Sequence, residues 1–543
     1  MRTKYIFVVG GVMSGVGKGV ASSSVANILQ SRGFKVTSVK IDPYVNVDAG
    51  TMNPTEHGEV FVLNDGMECD QDMGNYERFL NKDISSANYM TTGSVYQSVI
   101  NKERALEYGG KCVEVVPHIP MEVINKLDNA LKTNKAEIVI TEIGGTVGEY
   151  QNILFLETVR MLKLKKAQDV LLILVSFLPS VSEHGELKTK PTQHAVKTLN
   201  YAGLQPDIII ARVNSKIDDK RKEKIAFNCG MKEEDIISAP NVDSIYEIPL
   251  NFEKDKISDL VAKKLKIKPR GKDMKEWTKL VDKIKNASEP IKIGIAGKYF
   301  ATGDFVLSDA YLSVIEAVKH AAYHFSKKPV IEWLNVEEFE KTENLPKLKE
   351  YDGIIIPGGF GNRGVEGKIA AIKYCRENKI PFLGICYGMQ LMVVEFARHV
   401  AGLKGAHTTE VNSKTPYNVI DILPEQKEKM VKKDYGGSMR LGAYDAAVKK
   451  GTIAYSAYGK EKISERHRHR YEVNPDYIDR LGEKGIIFSC QSPSGKLMEI
   501  AELPQNVHPF FLGAQFHPEF KSRPLSPHPL FLKLIEAAIE KGG

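Results

Sequence analysis

Apolar residues in the first half of the chain fall into short, nearly unbroken runs. KYIFVV (4–9), KVTSVKI (35–41), EIVIT (137–141), DVLLILVS (169–176) and DIIIAR (207–212) are of this kind. Strands buried on both faces of a parallel sheet read this way, because neither face meets water. Between the first two runs, VASSSVANILQSRG sets Ala21, Val25, Ile28 and Leu29 at helical spacing, and Gly33 ends the pattern. A second series begins at IKIGIAGKY (291–299) and continues through VIEW (330–333), YDGIIIPGGFG (351–361) and IPFLGICYGMQ (380–390). Two such series predict two α/β domains, each with its own sheet, the first a doubly wound parallel sheet. The stretch 264–290 is lysine-rich and carries Pro269, Gly271 and Pro290, which predicts a connector with one short helix. The expected division is therefore 1–265, a linker 266–290, and 291–543. Residues 425–440 (EQKEKMVKKDYGGSMR) are polar and glycine-bearing, and predict a mobile surface loop.

A length of 543 residues agrees with two or three domains. Hydrophobic content of 42% with 26% charged residues places the chain among globular proteins. The net charge of +7 is small for the length; it suits polyanionic small molecules and gives no reason to expect nucleic acid. No apolar run reaches membrane-spanning length, and MRTKYIFVVGG does not read as a signal peptide, since its apolar part runs into a glycine loop. The six cysteines are scattered, with no CxxC pair, which predicts reduced thiols, a cytoplasmic setting and no zinc cage.

The first candidate chemistry lies at GGVMSGVGKG (10–19), between the first strand and the first helix. Glycine loops there hold phosphate, because amides at a helix start point outward and the helix dipole favours anions. The loop departs from the ordinary pattern. Five residues rather than four separate Gly11 from Gly17, and Gly19 follows Lys18 where Ser or Thr is usual. The block 40–79 after the second strand is crowded with acids and glycines. Asp70 and Asp72 stand two apart, Lys40 opens the block, and Glu142 ends the strand EIVITE. Carboxylates at strand ends beside a phosphate loop suit Mg²⁺, a hard ion that prefers oxygen. ELKTKPTQH (186–194) gathers Lys188, Thr189, Lys190, Thr192 and Gln193, a set suited to a triphosphate.

The second candidate is GICYGMQ. Gly384 and Gly388 flank Cys386 between a strand and an apolar helix, the arrangement of a nucleophile elbow with a thiol in place of serine. At a helix N-terminus the dipole favours the thiolate. QFHPEF supplies a base, His517, and a group to orient it, Glu519; alternate positions on an extended segment would aim both the same way. The amides of PGGFG (357–361), with that of Tyr387, could hold an oxyanion. This logic alone admits a thiol hydrolase or a peptidase.

PGGFG, GICYG and HPE together resemble a class I glutamine amidotransferase domain. The resemblance implies that Cys386 attacks the glutamine side-chain amide, His517 moves protons and Glu519 orients His517. Read end to end, the chain closely resembles the CTP synthase family. The matching motifs include KIDPY, DAGTM, EHGEVFV, YERF, EIGGTVG, KTKPTQH, VDSIYEIP, MRLG, ERHRHRYE and HPEF, in order along essentially the whole length. A relative that makes cobyric acid or GMP would lack KTKPTQ and the 40–79 block. A P-loop switch that dimerises on ATP has no use for Cys386, His517 and Glu519.

The resemblance implies a site for each substrate. ATP would lie against Gly15, Val16, Gly17, Lys18, Gly19 and Val20, with Lys40, Asp72 and Val242. Mg²⁺ would be held by Asp72 and Glu142. UTP, or CTP as feedback inhibitor, would meet Ser14, Glu149, Tyr150, Gln151, Lys188, Thr189, Lys190, Pro191, Thr192, Gln193 and Lys224. Glutamine would meet Gly359, Tyr387, Gly388, Met389, Gln390, Glu410 and Arg470. The family is activated by GTP, with Arg363 and His118 as the coupling residues, and assembles as a tetramer with filaments as a further form. Three departures stand out: GTVGEYQN for GTVGDIES, which exchanges an acid for Gln151 and predicts altered CTP feedback; Tyr387 for a common Leu; and Pro240-Asn241 for Lys-Asp, which alters side-chain contacts to adenine.

Overall fold

The computed structural model describes residues 2–180, 187–271, 273–297, 301–302, 305–306, 308–422 and 439–542. The chain forms two compact units, one of residues 1–49 and 72–281, the other of residues 50–71 and 282–543. In the first, strands lie in the spatial order Tyr89–Thr91, Val36–Asp42, Ile138–Ile143, Lys4–Gly10, Val170–Phe177, Ile208–Val213 and Ile236–Pro240. Every pairing in this sheet is parallel. The apolar runs are central because both faces are covered. Tyr5, Phe7 and Val9 enter one core, while Ile6 and Val8 between them are equally buried. The order reverses around Lys4–Gly10, so the glycine loop leaves the sheet at a topological switch point, the usual crevice for ligands in such sheets.

The second unit has a mixed sheet. Its strands run in the order Lys328–Asn335, Pro290–Gly297, Gly353–Ile356, Phe382–Ile385, Phe511–Ala514, Met498–Glu502, Ile487–Gln491, Arg440–Val448 and Lys462–His469. The first five are parallel and the rest antiparallel. Ile354 and Ile356 face one core, Ile355, Leu383 and Ile385 the other. The loop expected at 425–440 falls almost wholly outside the described residues.

The units differ from the expected division in two ways. Residues 266–281 are part of the first unit rather than a free connector. Arg270 forks onto Glu137 at 2.8 and 2.9 Å, and its amide donates to the Arg32 carbonyl. Trp277, on the helix Lys275–Asn286, donates to the Tyr246 carbonyl at 2.8 Å and packs on Phe79 and Tyr246. Composition alone hid this, because one buried indole outweighs the surrounding lysines. Residues 50–71 leave the first unit and join the second, carrying the antiparallel hairpin Val60–Val62 with Glu68–Asp70. Sequence continuity argues against such an excursion; only tertiary contacts reveal it. Trp277→Ala should destabilise the first unit by about 3–5 kcal/mol, the usual cost of emptying a large aromatic site, measured by denaturant unfolding.

Candidate active sites

In the first unit the loop after Lys4–Gly10 turns through Gly15 (φ 69°) and Gly17 (φ 80°) into the helix Lys18–Ser31. Gly17 is the N-cap and carries no side-chain cap, so the first amides of the helix stay available to a ligand. Lys18 Nζ donates to the Gly145 carbonyl at 2.8 Å. Burial lowers its pKa from the ordinary lysine value, partly offset by Glu142. Gly19 answers the question raised by the loop: a Cβ there would overlap the Asp72 carboxylate. Where the usual loop carries a hydroxyl after its lysine, this one makes room for an acid from the helix Asp72–Leu80.

Lys40 and Glu142 are register partners on adjacent strands. Lys40 Nζ binds Glu142 Oε1 at 2.9 Å, binds Asp72, and lies 3.7 Å from Asp42 Oδ1. Tyr76 donates to the other Glu142 oxygen at 2.5 Å. Burial raises the pKa of both Glu142 and Asp42, with Asp72 adding to each rise. Among the described residues no three His, Cys, Asp or Glu side chains form a metal cage by themselves. Asp70 is not part of this group; it ends the hairpin in the other unit.

Thr189 caps the helix Lys190–Tyr201, with Pro191 in its first turn. Gln193 Nε2 bonds Thr189 Oγ1 at 3.1 Å, and Thr192 is buried with its hydroxyl 2.9 Å from Ser176 Oγ. These bonds fix the helix start, while Lys188 and Lys190 are exposed. Glu149 accepts from the Thr146 amide and hydroxyl at 3.0 and 2.6 Å, and Gln151 Nε2 donates to its other oxygen at 2.6 Å. Tyr150 and Lys224 are exposed, as is Ser14. A recess beside Gly17 is lined by Ala21, Arg212, Pro240, Asn251 and Phe252. Val242 is half-buried and outside that lining. Arg212 gave no sequence signal; it is the penultimate residue of the strand Ile208–Val213 and donates to Asn241 Oδ1 at 3.3 Å.

In the second unit Cys386 sits between the strand Phe382–Ile385 and the helix Tyr387–His399, at φ 51°, ψ −101°. A non-glycine residue in this region is strained, and here the elbow holds it. Gly388 is required two residues on, because a Cβ would overlap the Ile356 carbonyl. Cys386 Sγ lies 3.8 Å from the Arg468 carbonyl and 3.8 Å from Gln515 Nε2. His517 Nδ1 binds Glu519 Oε1 at 2.7 Å. The pair does not sit on an extended segment: Pro518–Lys521 is a 3₁₀ turn, and the turn rather than strand alternation brings the two together. His517 Nε2 is buried, and among the described residues no donor or acceptor meets it in good hydrogen-bond geometry. Burial works against its protonation, but Glu519 and then Cys386 outweigh it and raise the pKa to about 10. Beside Glu519 the ring can accept the thiol proton as an imidazolium and hand it on.

Cys386, His517, Glu519, Gly358, Gly359 and Phe360 share one pocket. An adjoining one is lined by Cys386, Gln390, Glu410, Arg468 and Arg470. Glu410 accepts from the Gly361 amide at 2.7 Å, and Tyr387 donates its hydroxyl to the Gly361 carbonyl at 2.8 Å. The tyrosine thus braces the glycine turn, with Lys368 5.0 Å above its ring. Gln390 Nε2 donates to the Tyr471 carbonyl at 2.9 Å. Met389 is buried against Gly513, and its side chain lines neither pocket. Arg363 is exposed and paired with Glu337 at 2.5 Å, while His118 accepts from the Glu114 amide. The RHRHR run offers three arginines, and of these Arg468 and Arg470 both line the second pocket; Glu59 and Val60, which line the first, were concealed by their position in the first half.

A model of the CTP synthase N-terminus matches residues 4–267, and one of class-I glutamine amidotransferases matches 306–537. Over 542 residues the chain is 48% identical to a CTP synthase of Halalkalibacterium halodurans, covering 100% of each. The chain belongs to the CTP synthase family. Identity to the CTP synthase of Pyrococcus furiosus is 50% over 540 residues, covering 99% of this chain and 98% of the other. With the CTP synthase of Methanocaldococcus jannaschii it is 50% over 543 residues, at 99% and 98%. No helix among the described residues is long and apolar enough to cross a membrane.

Glu519→Gln should lower the His517 pKa from about 10 towards the ordinary 6.5. The sign for stability follows: a raised pKa stabilises the fold fully below pH 6.5 and loses that contribution as pH climbs through 10. Removing the carboxylate should therefore destabilise the second unit at pH 7 more than at pH 10.5, read by thermal unfolding at both values.

Proposed function

We propose that this chain makes CTP from UTP, ATP and glutamine, using the second unit to release ammonia and the first to use it. The carrying observation is the Cys386–His517–Glu519 constellation in the same chain as a phosphate loop ringed by Lys18, Lys40, Asp72 and Glu142. In the second unit, Cys386 gives its proton to His517 and attacks the glutamine amide carbon. The amides of Gly359 and Tyr387 hold the oxyanion. His517 returns the proton to the departing nitrogen, ammonia leaves, and water guided by His517 hydrolyses the thioester to glutamate. Gly388, Gln390, Glu410 and Arg470 shape the glutamine pocket, and Met389 contributes through its backbone.

In the first unit, residues Gly15 to Val20 and Lys18 cradle the ATP phosphates, and Lys40 neutralises the charge that develops on transfer. The γ-phosphoryl passes to O4 of the uracil ring. Ammonia then displaces phosphate at C4. Ser14, Lys188 to Gln193 and Lys224 bind UTP; Glu149, Tyr150 and Gln151 bind CTP as inhibitor. The oxygen donors Asp72 and Glu142 fit Mg²⁺, and Asp42 beside them leaves the group short of positive charge. Mg²⁺ bound there would offset phosphate charge, and Asp72 stands where the usual loop's hydroxyl would. GTP activates through Arg363 and His118. The working form is a homotetramer in the cytoplasm, which six cysteines outside any disulfide suit.

The reading is tested with purified protein, UTP, ATP, Mg²⁺ and glutamine, followed by the absorbance of the cytosine product; no product would refute it. Cys386→Ala should abolish glutamine-dependent synthesis and leave ammonia-dependent synthesis largely intact. Loss of both in a folded protein would contradict two separate sites. Lys18→Ala should lower synthesis with either nitrogen donor by about 100-fold or more, as expected when one charge-stabilising group is removed from a dry site.

A further inference from the structure

The hairpin Val60–Val62 with Glu68–Asp70 belongs to the second unit and packs beside its catalytic centre. Phe61, 1% exposed, meets the ring of Phe520 edge-on at 5.0 Å. Phe520 in turn stacks on the His517 imidazole at 5.0 Å with 13° between planes. His517 is thus fixed at Nδ1 by Glu519 and across its face by a ring that Phe61 supports. Arg466, fully buried, donates to the Val62 carbonyl at 3.1 Å, to Asn64 Oδ1 at 2.6 Å and to the Phe520 carbonyl at 3.4 Å. Its own carbonyl accepts the His517 amide at 2.7 Å. Two residues on, Arg468 Nε donates to Glu68 Oε1 at 2.7 Å, and the Arg468 carbonyl faces Cys386 Sγ. Glu59, also buried, accepts from the Ser313 amide at 3.1 Å and from its hydroxyl, where the helix Leu312–His324 begins.

We infer that this hairpin is a working part of the glutaminase: Phe61 is a positioning residue for His517, and Glu68 is one for the Arg468 carbonyl beside Cys386. The inference rests on the glutaminase reading of that centre. Its physical basis is orientation. Nucleophile and base must meet in a narrow geometry, and an ångström of misplacement costs about 100-fold in rate. Shells that touch no substrate supply that precision. Glu59 at the start of the Leu312–His324 helix and Asn64 on Arg466 hold the hairpin's ends to the unit, so its two supports are pinned rather than loosely laid on.

The test uses the full chain and three readouts: kcat and KM for glutamine hydrolysis, the pH dependence of iodoacetamide labelling of the Cys386 peptide, and ammonia-dependent CTP formation. Phe61→Leu should lower kcat for hydrolysis about tenfold with KM within twofold, and move the Cys386 labelling profile along the pH axis. Glu68→Gln keeps the shape and a hydrogen-bond acceptor, so it should lower kcat about threefold, and Glu68→Asp should recover part of it. Ammonia-dependent synthesis should stay within twofold in all three. Unchanged kcat and an unchanged labelling profile in both Phe61→Leu and Glu68→Gln would overturn the inference. So would a proportional fall in ammonia-dependent synthesis. If Phe61→Leu unfolds the second unit, Glu68→Gln decides alone by the same criteria. A wild-type chain that releases no glutamate would overturn the glutaminase reading itself, a result distinct from active variants.

Discussion

Lys40 is a buried ammonium among three carboxylates, and much of the first unit is arranged around that fact. It sits opposite Glu142 across a parallel pair, binds Asp72 at the start of a helix, and lies near Asp42 at the end of its own strand. Burial, with the Asp72 charge added, holds the Glu142 and Asp42 carboxyls above their ordinary pKa, although Lys40 opposes both shifts and Lys18 opposes that of Glu142. Such a site is built to receive further positive charge or to exchange partners with a phosphate. Gly19 belongs to the same constraint, since its missing side chain is the space Asp72 uses. The unusual loop is therefore a different division of labour. The hydroxyl normally adjacent to the lysine is replaced by an acid more than fifty residues away.

The second unit depends on a different local cost. Cys386 is held at a strained backbone angle by a strand behind it and a helix ahead of it, with its amide donating to the Ala514 carbonyl at 2.7 Å. That strain places the thiol at the end of a helix dipole, facing a histidine whose charge is set by Glu519. Tyr387 shows how a departure can be absorbed: its hydroxyl ties down the glycine turn whose amides it would otherwise crowd.

The sheets and their loops were legible because they rest on local rules. Continuous Val, Ile and Leu runs mean strands buried on both faces, and a glycine loop or elbow between such a strand and a helix has few other meanings. The nucleophile, base and orienting acid were legible for the same reason, although the turn that joins His517 to Glu519 was not. What escaped was non-local. Trp277 binds a lysine-rich stretch to a distant core, Arg212 sits near the end of an apolar strand with no motif around it, and Phe61 and Glu68 serve a site more than three hundred residues downstream. Periodicity reports which face of an element is buried and is silent on what covers it.

The excursion of residues 50–71 also bears on how such a chain can be recombined. The sequence passes from one unit to the other at 49/50, returns at 71/72 and passes again at 281/282. A crossover near residue 281 that exchanged the C-terminal half with a relative's would leave the hairpin of one parent packed on the strands of the other. Phe61 would then meet a foreign Phe520, and Glu68 a foreign Arg468. The inheritable module of the second unit is therefore discontinuous in the gene, and substitutions along 50–71 are bound to those along 462–469 and 517–520 as if they were neighbours in sequence.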